Sequence, residues 1–123
     1  MDRDGNVVRG HLDRATGVRG PLVAGVEERL AAEAPLDHLR GATTLTVVVT
    51  NQRFERRPLT QLGRQVHASM ARAIHPFHVL GDGDVLYAAT TAEVDNPRLD
   101  VTSLSVVASE LAWDAVLSCF DPD

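Results

Sequence analysis

The pattern of apolar and polar positions changes character near residue 42. Thr43-Thr44-Leu45-Thr46-Val47-Val48-Val49-Thr50 is an almost unbroken run rich in β-branched residues. Such a run predicts a central strand covered on both faces, because a strand with one wet face alternates polar and apolar residues. Asn51 to Arg57 is a polar connection, and Pro58 suits the first turn of a helix, where a missing N–H costs nothing. Leu59, Leu62, Val66, Met70, Ala73 and Ile74 then recur at three- and four-residue intervals, with Arg64, Gln65, Ala68 and Arg72 opposite. That spacing predicts an amphipathic helix of about four turns. It should stop before His75-Pro76, since a residue preceding proline is pushed out of the helical region.

Gly81-Asp82-Gly83-Asp84 reads as a tight turn and Val85 to Thr90 as a second strand. After a loop at Asp95-Asn96-Pro97, Asp100 or Thr102 can cap a last helix. Its apolar face runs through Leu104, Val107, Ala108, Leu111, Ala112, Ala115 and Val116, and Trp113, Leu117 and Phe120 widen it. A face that broad predicts a helix packed within a layer. Strand, helix, strand, helix over residues 43–123 predicts an α/β or α+β layered domain.

Residues 1–42 show no such pattern. Gly5, Gly10, Gly17, Gly20 and Pro21 punctuate them, and Asp4-Gly5-Asn6 and Ala15-Thr16-Gly17 are turn signals. Val7-Val8 reads as a short strand end. Val23, Val26 and Leu30 share one helical face, so a short helix fits Leu22 to Ala34, limited by Gly25 and Pro35. His38-Leu39-Arg40-Gly41 reads as a loop. This segment is expected to be extended and to take its order from its surroundings.

Composition narrows the chemistry. The chain has 123 residues and a formal net charge of −5, and 44% of it is apolar, which suits a folded globular domain. The acidic balance argues against nucleic-acid binding, which calls for a basic face. All 12 basic residues are Arg, so no Schiff-base or P-loop lysine lies within the chain. No apolar stretch of about 18 residues predicts a membrane span, and the charged Met1-Asp2-Arg3-Asp4-Gly5 start predicts no signal peptide. A lone Cys119 forms no intrachain disulfide and fits a reducing, cytoplasmic compartment.

Several groups can carry chemistry. Thr43 and Thr44 are either ordinary strand formers or, if the chain is cut before one of them, a nucleophile. A terminal α-amino group, with its ordinary pKa near 8, can serve such a residue as its own base. Asp82 and Asp84, between glycines, either sit on a solvated turn or orient an amine, share a proton or hold a cation. The loop lacks the further acidic positions of an EF-hand. His67, His75 and His78 are close in sequence, but proline breaks any shared helix face, and helix-end hydrogen bonding competes with a zinc site. Cys119, near the end of an apolar helix, reads as packing, and Arg53, Arg56 and Arg57 beside Glu55 read as a solvated loop. The expectation is a site with no resident metal or cofactor.

These motifs together resemble the DmpA-type aminopeptidases, peptidase family S58, and within it the nylon-oligomer hydrolase branch. Thr43 to Asn51 is similar to that family's N-T-T-hydrophobic-x-V-V-x-T segment. His67-Ala68-Ser69-Met70-Ala71-Arg72-Ala73-Ile74-His75-Pro76-Phe77-His78 resembles its A-H-x-G-L-A-R-A-I-x-P-x-H segment, and Gly81 to Ala88 its D-G-D-T-x-F-A segment. Asp4 to Val8 followed by Asp13 to Gly17 resembles its G-D-V-x-D-x-x-T-G stretch.

The resemblance implies an αββα sandwich of the N-terminal-nucleophile-hydrolase kind, made as a precursor that cuts itself before a Ser or Thr. By position Thr43 would be the nucleophile, with Asp82 and Asp84 assisting the new terminus. Residues 1–42 would match the end of the family's α chain and residues 43–123 its β chain. The expected substrate is a peptide or small amide, and the expected partner an α-chain-like polypeptide or a second copy. Two features depart from the pattern: Ala42 stands where that branch has Asn, and the family's α region with its catalytic lysine has no counterpart here. The resemblance therefore allows two functions: a subunit or fragment of an amidohydrolase, or a truncated, non-catalytic domain that dimerises or binds a partner.

Overall fold

A computed structural model of the chain describes residues 1–34 and 43–120. They fall into two compact units, one within the first 40 residues and one over residues 41–121. The His38–Gly41 loop and Ala42 lie outside the described residues.

The first unit is built on two aspartates that organise turns. Asp2 accepts hydrogen bonds from the backbone N–H groups of Asp4 (3.0 Å) and Asn6 (2.7 Å). Asp13 accepts from the N–H of Ala15 (2.8 Å) and the hydroxyl of Thr16 (2.7 Å), in a turn closed by an antiparallel bridge between Leu12 and Arg19. Gly17, at φ +71°, takes the left-handed conformation this turn needs. Val7 and Val8, expected as a strand end, belong to no strand. The short helix forms as α1 (Leu22–Ala31), and none of its residues is buried.

The second unit is a mixed α/β layer. Strand β1 (Leu45–Gln52) and strand β2 (Val85–Val94) pair in parallel, in register from Leu45 opposite Val85 to Thr50 opposite Thr90, with an irregularity before Gln52 meets Val94. Helix α2 (Arg56–Ser69) connects them and continues as a single tighter turn, Met70–Arg72. It thus ends ahead of His75-Pro76, as the proline dictates. The apolar stripe of α2 makes the core: Leu62 and Val66 are fully buried, and Met70 and Ala73 nearly so. Gly63 lets the helix lie directly on β2, since a Cβ there would stand 3.2 Å from Cβ of Ala88 and 3.3 Å from Leu86. Helix α3 (Val101–Ser118) starts at Asp100, whose carboxylate accepts from the N–H of Ser103 at 2.7 Å. This selects Asp100 over Thr102 as the cap.

Three expectations for this unit are corrected. β1 is not covered on both faces. Thr46, Val48 and Thr50 turn inward, while Leu45 (73% exposed), Val47 (65%) and Val49 (63%) face solvent. A β-branched run records how well residues fit a pleated surface, and not whether a second layer is present to cover it. α3 does pack on α2, but through its small polar side. Ser105 and Ser109 are its buried residues, each donating its hydroxyl to the carbonyl four residues earlier (2.6 and 2.7 Å). Those short, self-satisfied side chains allow close approach, and Val107 and Leu111 are left exposed. Arg72 ties the contact by a 2.7 Å ion pair with Glu110 and by lying over the Trp113 ring. With 18 residues and a mean hydropathy of 1.2, α3 has the length and composition of a membrane span. It is nonetheless interrupted by Glu110 and Asp114. Cys119 is also corrected: it is exposed, with its thiol on the carbonyl of Ala115.

Candidate active site

Parallel pairing brings the first residues of β1 beside the turn that precedes β2. This is how Thr43 and Asp82-Gly83-Asp84, forty residues apart, meet. Thr43 is exposed and its side chain lies on the backbone of Gly83: a Cβ built there would stand 2.7 Å from Thr43 Oγ1. The glycine between the two aspartates is thus a platform for the threonine. Gly83→Ala is expected to push the Thr43 hydroxyl aside while leaving the fold intact. Displacements near 1 Å can cost about 100-fold in rate, so any Thr43 chemistry should fall by at least about 10-fold at an unchanged melting temperature.

The two carboxylates have different surroundings. Asp84 is buried, and each of its oxygens accepts one long-range backbone bond: Oδ1 from the N–H of Thr44 at 2.6 Å, Oδ2 from the N–H of His78 at 2.9 Å. The N–H of Val85 donates back to the carbonyl of Thr44 at 3.0 Å. Thr44 is therefore clamped on both sides, and Thr43 hangs from a fixed neighbour. Burial pushes the Asp84 pKa up, but the bonds from the Thr44 backbone and side chain and from His78 outweigh it, and the net shift is downward. Asp84 is a carboxylate at neutral pH. Asp82 is half-buried and closes its own turn: its N–H donates to the carbonyl of Val79 (3.0 Å), and its Oδ2 accepts from the N–H of Val79 (3.2 Å). Gly81, at φ +95°, supplies the left-handed step that starts the turn.

The histidines serve this loop. His67, at the end of α2, stacks edge-on against His78 (ring centroids 4.9 Å) and tilts against Phe77 (4.9 Å). His78 itself adopts φ +58°, which aims its N–H at Asp84. Nδ1 of His67 is buried with no hydrogen-bond partner. No group of three His, Cys, Asp or Glu side chains is gathered as for a metal among the described residues. A cleft of about 520 Å³ runs from Asp84 and His67 along α2 and β2, past Arg64 and Tyr87. Arg53 lies exposed in the loop, as expected, and donates to the carbonyl of Ala92 (3.3 and 3.2 Å), whereas Arg56 and Arg57 form the exposed first turn of α2 and not a loop. Sequence reasoning missed the roles of Gly83 and of the His67–His78 stack. The glycine's place between two aspartates was the one available signal; ring stacking leaves none.

The sequence profile of peptidase family S58 matches residues 6–121. The chain belongs to peptidase family S58. Among its relatives are the 6-aminohexanoate-oligomer endohydrolases of Agromyces sp. (strain KY5R) and Kocuria sp. (strain KY2), each 46% identical over 95% of this chain. A putative NylC-analogous protein of Agromyces is equally similar. These place the S58 chain in the nylon-hydrolase branch. It spans 36% of the length of the two endohydrolases and 42% of the NylC-analogous protein.

Proposed function

We propose that this S58 chain is the nucleophile-bearing part of an N-terminal-threonine amidohydrolase, acting with an α-chain-like partner within an αββα sandwich. The observation that carries the reading is the placement of Thr43 on Gly83, between two aspartates, in a chain of this family.

In the proposed reaction the Thr43 hydroxyl attacks the carbonyl of residue 42, and the C–N bond breaks as the acyl group passes to oxygen. Water then hydrolyses the ester, freeing the Thr43 amine. That amine takes the hydroxyl proton as Thr43 attacks a substrate amide, and the proton passes to the departing amine. Water releases the acid and restores the enzyme. Asp84, already ionised, fixes Thr44 and places negative charge near the new ammonium group; Asp82 shapes the turn around it. The relatives' names point to linear amides of the 6-aminohexanoate type as the substrate class. A cytoplasmic location belongs to the same reading and rests on the single Cys119.

Ala42, which stands where the nylon-hydrolase branch has Asn, favours a second reading: a non-catalytic domain that dimerises or binds a partner. Intact-mass measurement separates the two. The first reading expects fragments beginning at Met1 and Thr43, and amide hydrolysis once an α-like partner is supplied. One uncut mass and no hydrolysis with that partner supports the second.

A further inference from the structure

Asp84 is held from two sides, and strand pairing accounts for one of them. The bond from the N–H of Thr44 to Oδ1 (2.6 Å) follows from the register of β1 on β2. The bond to Oδ2 (2.9 Å) comes from the N–H of His78, within residues 73–84, which form neither helix nor strand. We propose that His67 is a positioning residue for Thr43. Its ring pins His78, and with it the second bond to Asp84, to the end of α2, and it acts by shape and not by passing a proton. This rests on the functional reading above and adds one residue to its machinery.

Three observations carry it. First, the second bond sets the carboxylate plane. The terminal torsion of an aspartate is soft, so a carboxylate held by one N–H can swing about it. Donors on both oxygens fix the plane, and with it the direction from which Thr44 is held. Second, His78 is a residue that needs holding. It is exposed, and its φ of +58° is uncommon for anything but glycine. Its ring meets His67 edge-on, with an interplanar angle of 82° and centroids 4.9 Å apart, a favourable aromatic geometry. Phe77 tilts on the same His67 ring, also at 4.9 Å, so two successive loop residues are moored on one side chain. His67 itself lies between the buried Val66 and Met70, on the helix that makes the core.

Third, the imidazole is poorly set up as a base. His67 lines the cleft that begins at Asp84, which makes proton transfer the rival reading. A histidine that relays protons has its far nitrogen oriented by a hydrogen bond. Nδ1 of His67 is instead buried with no partner. An unpaired buried polar atom is a cost that a hydrocarbon ring in the same stack would not carry.

The test uses the full chain and three variants, His67→Phe, His67→Ala and His78→Gly. Hydrogen exchange of the Thr44 amide reads the clamp directly. Hydrolysis of a 6-aminohexanoate oligomer, with the part of the Agromyces endohydrolase outside the matched stretch as partner, reads the chemistry. Phenylalanine keeps both ring contacts and removes the unpaired nitrogen. His67→Phe is therefore expected to melt no lower than the parent and to leave Thr44 exchange and kcat unchanged. His67→Ala should exchange Thr44 at least about 10-fold faster and lose about 10- to 100-fold in kcat at constant KM. His78→Gly keeps the N–H and adopts a positive φ without strain, so it folds even if the alanine chain does not, and it should show the same two changes. A phenylalanine chain that still protects Thr44 but hydrolyses nothing makes the imidazole nitrogen the working group and overturns the proposal. Parental Thr44 exchange in His78→Gly, or in a folded His67→Ala chain, overturns it as well. If the parent hydrolyses nothing with that partner, the functional reading falls, and Thr44 exchange still decides whether His67 holds the clamp.

Discussion

A Thr43→Ala chain is expected to remain one uncut polypeptide and to lose amide hydrolysis by about 10⁴-fold or more, while Thr43→Ser keeps both activities. Removing an attacking oxygen eliminates the covalent route, and losses of this order are typical when a nucleophile is deleted. The structure makes the test clean. Thr43 is exposed, packs on a glycine and lies ahead of the first strand residue, so neither variant removes core. Serine preserves the hydroxyl and sheds only a methyl group from an exposed residue. Intact mass reads the self-cleavage, and amine release from a 6-aminohexanoate oligomer, with an α-like partner present, reads the hydrolysis. If the alanine chain is still cut at residue 43, another group attacks that bond and the assignment of Thr43 fails.

The elements of the second unit were legible because each had a local cause. The β-branched run beginning at Thr43 became strand from Leu45 onward, Leu62 and Val66 set the helical face that became the core, and Pro76 stopped α2. What was not legible was which side of an element would be used. Periodicity marks Leu104, Val107 and Leu111 as a face, but it does not say that Ser105 and Ser109 make the closer contact. Helix approach depends on side-chain size as much as on hydrophobicity, and a β-branched run does not say which of its faces will be covered. The same limit applied to the candidate site. Asp82 and Asp84 look equivalent in Gly-Asp-Gly-Asp, and only the parallel register, set by Leu45 against Val85, brings the second one under the N–H of Thr44.

That asymmetry gives the other large expected effect. Asp84→Asn should lower stability at pH 7 by about 2–3 kcal/mol, because two backbone bonds now made to a charged acceptor would meet a neutral amide, one arm of which is itself a donor. The loss should depend on pH in a defined direction. The pKa of Asp84 in the folded chain lies below the ordinary 3.8, so its stabilising effect is complete above that value. It drains away as pH falls from about 3.8 through the depressed value, where the folded state must take up a proton it resists. Asp2, Asp13 and Asp100 are also shifted downward, but they are common to both chains and cancel in the difference. Urea midpoints for the parent and Asp84→Asn should therefore lie well apart at pH 7 and draw together as pH falls below about 3.8. A gap that stays constant with pH would mean that shape, not charge, holds Thr44. Self-cleavage should follow the same clamp: with Thr44 released, Thr43 loses its fixed approach to the bond, and the rate is expected to fall about 100-fold. Full-rate cleavage in an Asp84→Asn chain would separate the clamp from the chemistry and leave Asp82 as the carboxylate that matters.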